Sequence, residues 1–230
     1  MITENLQNYK YVLKLNKLYH RIFGEKFYKK LEFDWSVHPE RYEIIQETIL
    51  RKKYKNYLEI GCDKNQLFTK INVEKKIGVD PVSGGTIRDT SDNFFKNNFL
   101  KFDVVFIDGL HEYNQVKRDI KNSLNNLNDN GVIFLHDCMP KSYLHQASPR
   151  ARASWNGDVW KNIVEERTKA EVDTYVIFAD QGIGMILKRP NRNLLNLNIK
   201  NFQSLKYRDY YYNYKSYLNI ISADSLKNIF

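Results

Sequence analysis

Four ionisable side chains, Asp108, His111, His136 and Asp137, stand at the ends of two short apolar runs, Val104-Val105-Phe106-Ile107 and Val132-Ile133-Phe134-Leu135. Carboxylates and imidazoles bind polar ligands and exchange protons near neutral pH. A second set is spaced for a nucleoside. Tyr57-Leu58-Glu59-Ile60-Gly61-Cys62 breaks at its glycine, and Asp80 follows nineteen positions after Gly61. In a Rossmann-like unit an acid about 20 residues beyond the glycine turn accepts hydrogen bonds from ribose hydroxyls. The turn has one glycine and no G-x-G-x-x-G, which weakens a dinucleotide assignment, because a pyrophosphate needs close backbone approach at several points. A nucleoside without pyrophosphate needs less. The open alternative for Glu59 and Asp80 is a structural acid at a strand end.

The elements that must position these groups can be read from the pattern. Each apolar run is short enough to be a strand buried on both faces of a parallel sheet. Between them Tyr113, Val116, Ile120, Leu124 and Leu127 recur at helical spacing, and Asn128-Asp129-Asn130-Gly131 predicts the helix end. That is a β-α-β unit, in which ligands sit at the carboxyl ends of the strands. Further strands are predicted at 57–60 and 76–79. Helices are predicted from His38-Pro39-Glu40 through Leu50, from Ser91 as N-cap with Phe94, Phe95 and Phe99 inward, and over 158–167. Val172–Phe178 and Gly184–Lys188 read as strands whose short turn, Ala179–Gly182, makes them antiparallel. The expectation is an α/β fold: a Rossmann-like, mainly parallel sheet with helices on both faces and a C-terminal antiparallel hairpin.

Around this core, 55–189, lie additions. Residues 1–54 hold two helices, the first with Leu6, Tyr9, Val12, Leu13, Leu15, Leu18, Tyr19 and Phe23 and an end near Gly24, expected to pack on the core or on a second subunit in a homodimer. Residues 190–230 are expected as short helices covering an edge. Met139–Gly157 is a long loop of the lid or substrate-binding kind, with Lys141, His145, Arg150, Arg152 and Trp155. Its two arginines suit a phosphate, a carboxylate or a nucleotide-sugar diphosphate, although loop arginines are ordinarily just exposed. His145 is expected in solvent, and His20 and His38 in surface or packing roles.

Composition narrows the class. At 230 residues, with 42% hydrophobic and 14% aromatic content, the chain can build a packed core. No apolar stretch approaches the ~18 residues of a membrane helix, and the polar start MITENLQNYKYVLK is unlike a secretory signal, so a cytoplasmic location is expected. Cys62 and Cys138 are too few for a disulfide framework or a four-cysteine zinc site and are expected as free thiols at or near the ligand edge. The net charge of +9 fits a nucleic-acid partner, an anionic substrate or a solvated lysine-rich surface. The lysines form no dense block, which favours the last.

The ordered set Glu59-Ile60-Gly61-Cys62, Gly78-Val79-Asp80-Pro81, Ile107-Asp108-Gly109-Leu110-His111 and Leu135-His136-Asp137 resembles the class I S-adenosylmethionine-dependent methyltransferases. More closely, it resembles the bacterial methyltransferase domain 24 type, associated with surface-glycan and secondary-metabolite biosynthesis. The likeness runs from Tyr57 to Lys188 and is strongest over Phe102 to Asp137. It is supported by Thr90-Ser91-Asp92 with Phe94-Phe95 and by Gly157-Asp158-Val159-Trp160-Lys161. The resemblance implies S-adenosylmethionine as cofactor. Glu59, Gly61 and Cys62 would lie near its amino-acid part, Asp80 at the ribose and Ser91 near the adenine, with Asp108 a further cofactor-binding residue. Cys62, Asp63 and Lys64 depart from the family, standing where glycine-rich members have further glycines.

Asp108-x-x-His111 with Asp137 twenty-nine positions after Asp108 is similar to the arrangement in metal-dependent macrolide-sugar O-methyltransferases. That likeness implies Asp108 and a later pair, here His136-Asp137, as ligands of Mg2+ or another divalent metal, with His111 as base. An imidazole in place of the first acid of that pair shifts preference toward manganese, iron or zinc. The implied reaction is O-methylation of a small-molecule acceptor, a sugar, a nucleotide-linked sugar, a glycan precursor or another hydroxylated metabolite. The plainer alternative has Asp108 orienting backbone or cofactor, His111 capping a helix and His136-Asp137 bonding internally. Two competing functions are nucleic-acid methylation, disfavoured because no N/D-P-P-Y/F tetrad is present, and a non-catalytic cofactor-binding scaffold.

Overall fold

The computed structural model describes the backbone from Ile2 onward and the side chains from Asn8 to Phe230. Four strands, β1 (Asn56–Ile60), β2 (Lys75–Val79), β3 (Phe102–Ile107) and β4 (Leu127–Leu135), form a parallel core. β5 (Asp173–Ile177), β6 (Ile183–Leu187) and β7 (Ile220–Ile221) complete a seven-stranded sheet of order β2-β1-β3-β4-β6-β5-β7. Within it β6 alone runs against the others. The chain leaves β1 toward β2 on one side and returns to β3 on the other. Loops after β1 and β3 therefore diverge, and such a switch point opens a crevice at the carboxyl ends.

The apolar runs are apolar throughout because both faces are covered. Val105, Ile107, Ile133 and Leu135 pack with Val116 and Ile120 of α4 (Tyr113–Asn125) and with Trp160 and Ile163 of α6 (Val159–Glu166). Val104, Phe106, Val132 and Phe134 face the other way, into the cluster that includes Ile45 and Ile49 of α2 (Arg41–Lys52). Successive strand residues point to opposite faces, so no position in these strands could be polar without burying it unpaired.

Four boundaries differ from the sequence expectation. Helix α4 stops at Asn125, because Leu127 already pairs with Phe102 and Asn128 donates to Asp103 at 2.6 Å, which turns the expected helix terminator into the start of β4. α2 begins at Arg41, after Pro39, with the Glu40 backbone N–H donating to Glu43 at 2.8 Å. The N-cap of α3 (Ser91–Asn97) is Thr90, whose hydroxyl accepts from the Asn93 N–H. α3 ends before Phe99, which is 94% exposed.

The tail does more than cover an edge. Helix α7 (Tyr207–Leu218) buries Tyr207, Tyr210 and Leu218 against the body, and β7 then adds a strand beside β5. Helix α1 (Ile2–Phe23) meets the body through Leu13, Asn16 and His20, with Asn16 donating to the Arg150 carbonyl at 2.8 Å and His20 to the Pro149 carbonyl at 2.7 Å. Val12, Leu15, Leu18, Tyr19, Ile22 and Phe23 face outward. The contact with the body thus runs through one narrow face of the helix, while most of its apolar residues lie away from it; the Leu6 side chain lies outside the described residues. Among the described residues, no helix is long and apolar enough to cross a membrane.

Candidate active site

The crevice begins at Gly61, where the chain leaves β1 with φ +84°, a conformation that costs an L side chain ~1–2 kcal/mol. Its Cα lies against the Asp108–Gly109 backbone at the end of β3. Two strand ends are thereby held in contact, and Asp108 projects between two cavities. The larger, of about 490 Å³, has Gly61, Asp80, Val82, Ser91, Leu110 and Asp119 in its wall. The smaller, of about 380 Å³, is lined by His111, Asp137, Arg150, Trp155 and Gln181. Asp108, Gly109 and Leu110 belong to both.

In the larger cavity the expected cofactor residues separate. Gly61, Asp80, Ser91 and Asp108 line it. Glu59 and Cys62 lie behind the wall: the Glu59 carboxylate accepts from the Tyr57 hydroxyl at 2.6 Å, and Cys62 Sγ turns toward the Glu59 carbonyl. Burial pushes Glu59 up to about 7, against the pull of the Tyr57 hydrogen bond. Both cysteines are free and buried. The Asp80 carboxylate is engaged by backbone, one oxygen accepting from Cys62 and Asp63 at 3.0 Å each and the other from Val82 and Ser83 at 2.8 Å each. Burial acts to raise its pKa, but these four donors hold it below the ordinary carboxylate value. Asp80 thus ties the turn after β1 to the loop after β2. Ser91, freed from capping, donates to Asp119 at 2.6 Å, and burial pushes Asp119 up to about 6. A volume of this size, with apolar walls and a few convergent polar groups, fits a small ligand of nucleoside type.

In the smaller cavity His111 is the central side chain. Its Nε2 lies 3.2 Å from Asp108 Oδ1, and its Nδ1 lies 3.1 Å from the Trp155 carbonyl and 3.4 Å from Asp137 Oδ2. The Trp155 ring stacks on the imidazole at 5.5 Å. Burial acts to lower the His111 pKa, but Asp108 and Asp137 outweigh it and raise the value above that of a free histidine. The Asp137 backbone is left-handed, φ +63°, a strain that tightly packed sites sustain. Asn156 donates to Asp137 Oδ1 at 2.7 Å.

His136 stands beside this group. Its Nδ1 is 3.4 Å from both Asp108 and Asp137, and its Nε2 is 3.4 Å from Asp180. Burial opposes its charge, yet Asp108 and Asp137 hold it protonated well above the ordinary value. Asp180 in turn bonds Arg41 at 2.9 Å. Burial would raise the Asp180 and Asp108 pKa values, but His136 with Arg41, and His136 with His111, keep the two carboxylates well below the usual range. One ligand atom from each of Asp108, His111 and Asp137 lies within 4.8 Å of the others, a donor set of two carboxylates and an imidazole that fits a divalent cation.

Arg41, Asp180, Asn156 and Asp119 are absent from the sequence-derived site. One signal was present for Asp180: an antiparallel hairpin after β4 places its turn at the edge where the parallel strands end. Asn156 and Arg41 carry no local pattern. The long loop is substantially buried, and His145, expected in solvent, is half-buried and bonded to Ser142 at 2.8 Å.

Residues 42–138, less than half of the chain, match the model of a family described as a methyltransferase domain. A search of curated protein sequences finds no match. Among solved structures, the SAH-bound methyltransferase PaMTH1 of Podospora anserina is similar, with 14% identity, TM-score 0.50, and 83% of this chain and 95% of that one covered. Cofactor-bound Rv0187 from MTB is similar at 12% identity, TM-score 0.51, covering 68% of this chain and 84% of the other. At these identities the structures speak for the fold, and the family match speaks for residues that run from α2 through the end of β4. Together they give one conclusion: residues 42–138 are similar to a methyltransferase domain, and the chain shares the fold of an SAH-bound methyltransferase.

Proposed function

We propose that the chain is an O-methyltransferase whose acceptor is a sugar, a glycan precursor or another small hydroxylated metabolite, with His111 as general base. The junction of the two cavities supports this most directly. Asp108, Gly109 and Leu110 line both, so a donor in the larger space and a hydroxyl in the smaller would meet beside His111. S-adenosylmethionine, when bound, supplies a methyl group on a sulfonium that a hydroxyl oxygen can attack. Gly61, Asp80, Ser91 and Asp108 line the larger space and would hold it there.

A hydroxyl is a weak nucleophile until its proton has somewhere to go. The Trp155 carbonyl accepts from His111 Nδ1 and so selects Nε2 as the basic nitrogen. Asp108, at 3.2 Å from Nε2, stabilises the imidazolium that forms. Trp155 covers the ring and limits water. Asp108 and Asp137 would hold a divalent ion, and His136 would join them as a ligand only in its neutral form. Such an ion supplies positive charge that acidifies and orients an acceptor oxygen.

Calorimetry with S-adenosylhomocysteine, followed by a methyl-transfer screen over sugars and nucleotide sugars with and without chelator, tests the proposal. Cofactor binding and turnover that depends on His111 are expected. Binding without turnover on any hydroxyl would assign a scaffold role instead. Turnover indifferent to both chelator and His111→Ala would remove the base and the cation while leaving the fold.

A further inference from the structure

The loop Arg150–Gly157 separates the catalytic cavity from another of about 420 Å³ on its far side, lined by Lys17, Arg21, Lys30, Ser142, Tyr143 and Arg152 among others. Four cations face one space, and the lining includes no carboxylate. Among the described residues, none of these four side chains pairs with an acid, whereas Lys161, Lys169 and Arg189 elsewhere each do. Like charges gathered without counter-charge repel one another, at a cost that a bound anion would relieve.

Two further observations point the same way. Arg152 Nε is buried with no hydrogen-bond partner, a cost of ~1–3 kcal/mol unless something accepts from it. His145 lies behind two of the lining residues, Ser142, whose Oγ is 2.8 Å away, and Arg152, whose Nη1 is 3.3 Å away, both approaching its Nδ1. Burial, then Arg152, Lys141 and Lys30, push this imidazole down to about 4, so it is neutral and accepts, and adds no repulsion of its own. Arg150 and Arg152, two positions apart, divide between the two cavities: Arg150 lies over the Tyr9 and Trp155 rings on the catalytic side.

We propose that this cavity is a binding site for a phosphate or diphosphate group, built jointly by α1 and the loop after β4. Arg152 provides the guanidinium fork from the loop, Lys17 and Arg21 close the site from α1, Lys30 contributes from the segment after α1, and Tyr28 stacks edge-on against Tyr143 at its side. The added N-terminal helix, whose contact with the body is otherwise slight, thereby acquires a role. Phosphate of this kind reaches a protein on a soluble ester or on an anionic lipid headgroup. The outward apolar residues of α1, Val12, Leu15, Tyr19 and Ile22, make both sources worth separating.

The test uses the full chain and inorganic diphosphate. Calorimetry should show binding that Arg152→Gln weakens about tenfold and Lys30→Gln about threefold, since a charge-assisted fork contributes more than an exposed ammonium. Because Lys30 is exposed, its variant keeps the test valid if Arg152→Gln fails to fold. Imidazole NMR supplies an independent readout: diphosphate in this cavity cancels the field on His145 and should move its titration upward from about 4. Co-sedimentation with phosphatidylglycerol vesicles, but not phosphatidylcholine, that diphosphate competes away would identify a headgroup as the source. Diphosphate binding without vesicle binding would identify a soluble ester. No diphosphate binding, or binding that neither variant weakens and that leaves His145 unmoved, overturns the proposal.

Discussion

Replacing Gly61 by alanine should damage stability and catalysis together, through one contact. A Cβ built on Gly61 would lie 2.5 Å from the Asp108 carbonyl carbon and 2.7 Å from the Gly109 Cα, where ordinary contact needs about 3.4 Å or more. The obstruction is backbone on both sides, so no side chain can swing away. The backbone must open by nearly an ångström. To this is added the left-handed φ of +84°, which costs a non-glycine residue ~1–2 kcal/mol. Overpacking adds ~1–3 kcal/mol, for a total of ~3 kcal/mol.

What is displaced is Asp108 itself, the carboxylate common to both cavities. A catalytic group misplaced by 1 Å can cost ~10²-fold in rate. Denaturant unfolding should therefore show a loss of ~3 kcal/mol, and kcat should fall ~10²-fold in whatever protein remains folded. Gly109→Ala is the matched control, because a Cβ there meets its nearest neighbour, Ile60 Cγ2, at 3.5 Å, an ordinary contact. Its stability should change by less than ~1 kcal/mol. If Gly61→Ala is as stable as Gly109→Ala and binds S-adenosylhomocysteine unchanged, the argument that this glycine sets the spacing of β1 and β3 is refuted.

Three other outcomes are expected. His111→Ala should lower kcat ~10²–10⁴-fold while leaving S-adenosylhomocysteine affinity in calorimetry near that of the parent, since the ring lies in the smaller cavity. His136→Gln should destabilise the protein by ~3–5 kcal/mol in denaturant unfolding, because it leaves Asp108, Asp137 and Asp180 without the cation they surround. Asp119 has its folded pKa raised to about 6 from 3.8, so the folded state holds this proton more tightly than the unfolded chain does, and the group's contribution falls as pH rises through that window. Asp119→Asn, which keeps an oxygen for Ser91, should flatten the pH 4–6 part of the stability profile and raise stability at pH 7 by on the order of 2 kcal/mol.

The sheet and its ligand edge were legible because their signals are local. Val104–Ile107 and Val132–Leu135 are apolar on both faces as a buried parallel strand must be, and polarity returns abruptly at Asp108 and His136. The antiparallel hairpin was legible from the shortness of Ala179–Gly182. What was not legible depends on partners far along the chain. Thr90 and Ser91 are both good caps, and the choice falls to Thr90 because Asp119, from α4, takes the Ser91 hydroxyl. Asp80 has the spacing of a ribose acid, but no spacing reveals that four backbone N–H groups converge on it. Nor could helical periodicity in α1 show that the polar pair Asn16 and His20, with Leu13, would face the body.

The charge balance at the site explains why residues from such distant segments are needed. Asp108, Asp137 and Asp180 come close enough to share His136, and three carboxylates around one imidazolium still leave excess negative charge. Arg41 supplies a second positive charge, through Asp180, and His111 a third position where a proton can reside. Arg41 opens α2, so its guanidinium is fixed to a helix packed on the sheet, and Asp180 is held in a hairpin turn with φ +36°. These two make a rigid outer pair that keeps His136 charged and in place. His111 is bonded instead to a loop carbonyl and stacked on a loop tryptophan, so its partners on that side come from the long loop after β4 and not from the Arg41–Asp180 pair. A general base must lose and regain its proton within each turnover; His111, which lines the smaller cavity, suits the proposed task better than His136, which three carboxylates surround.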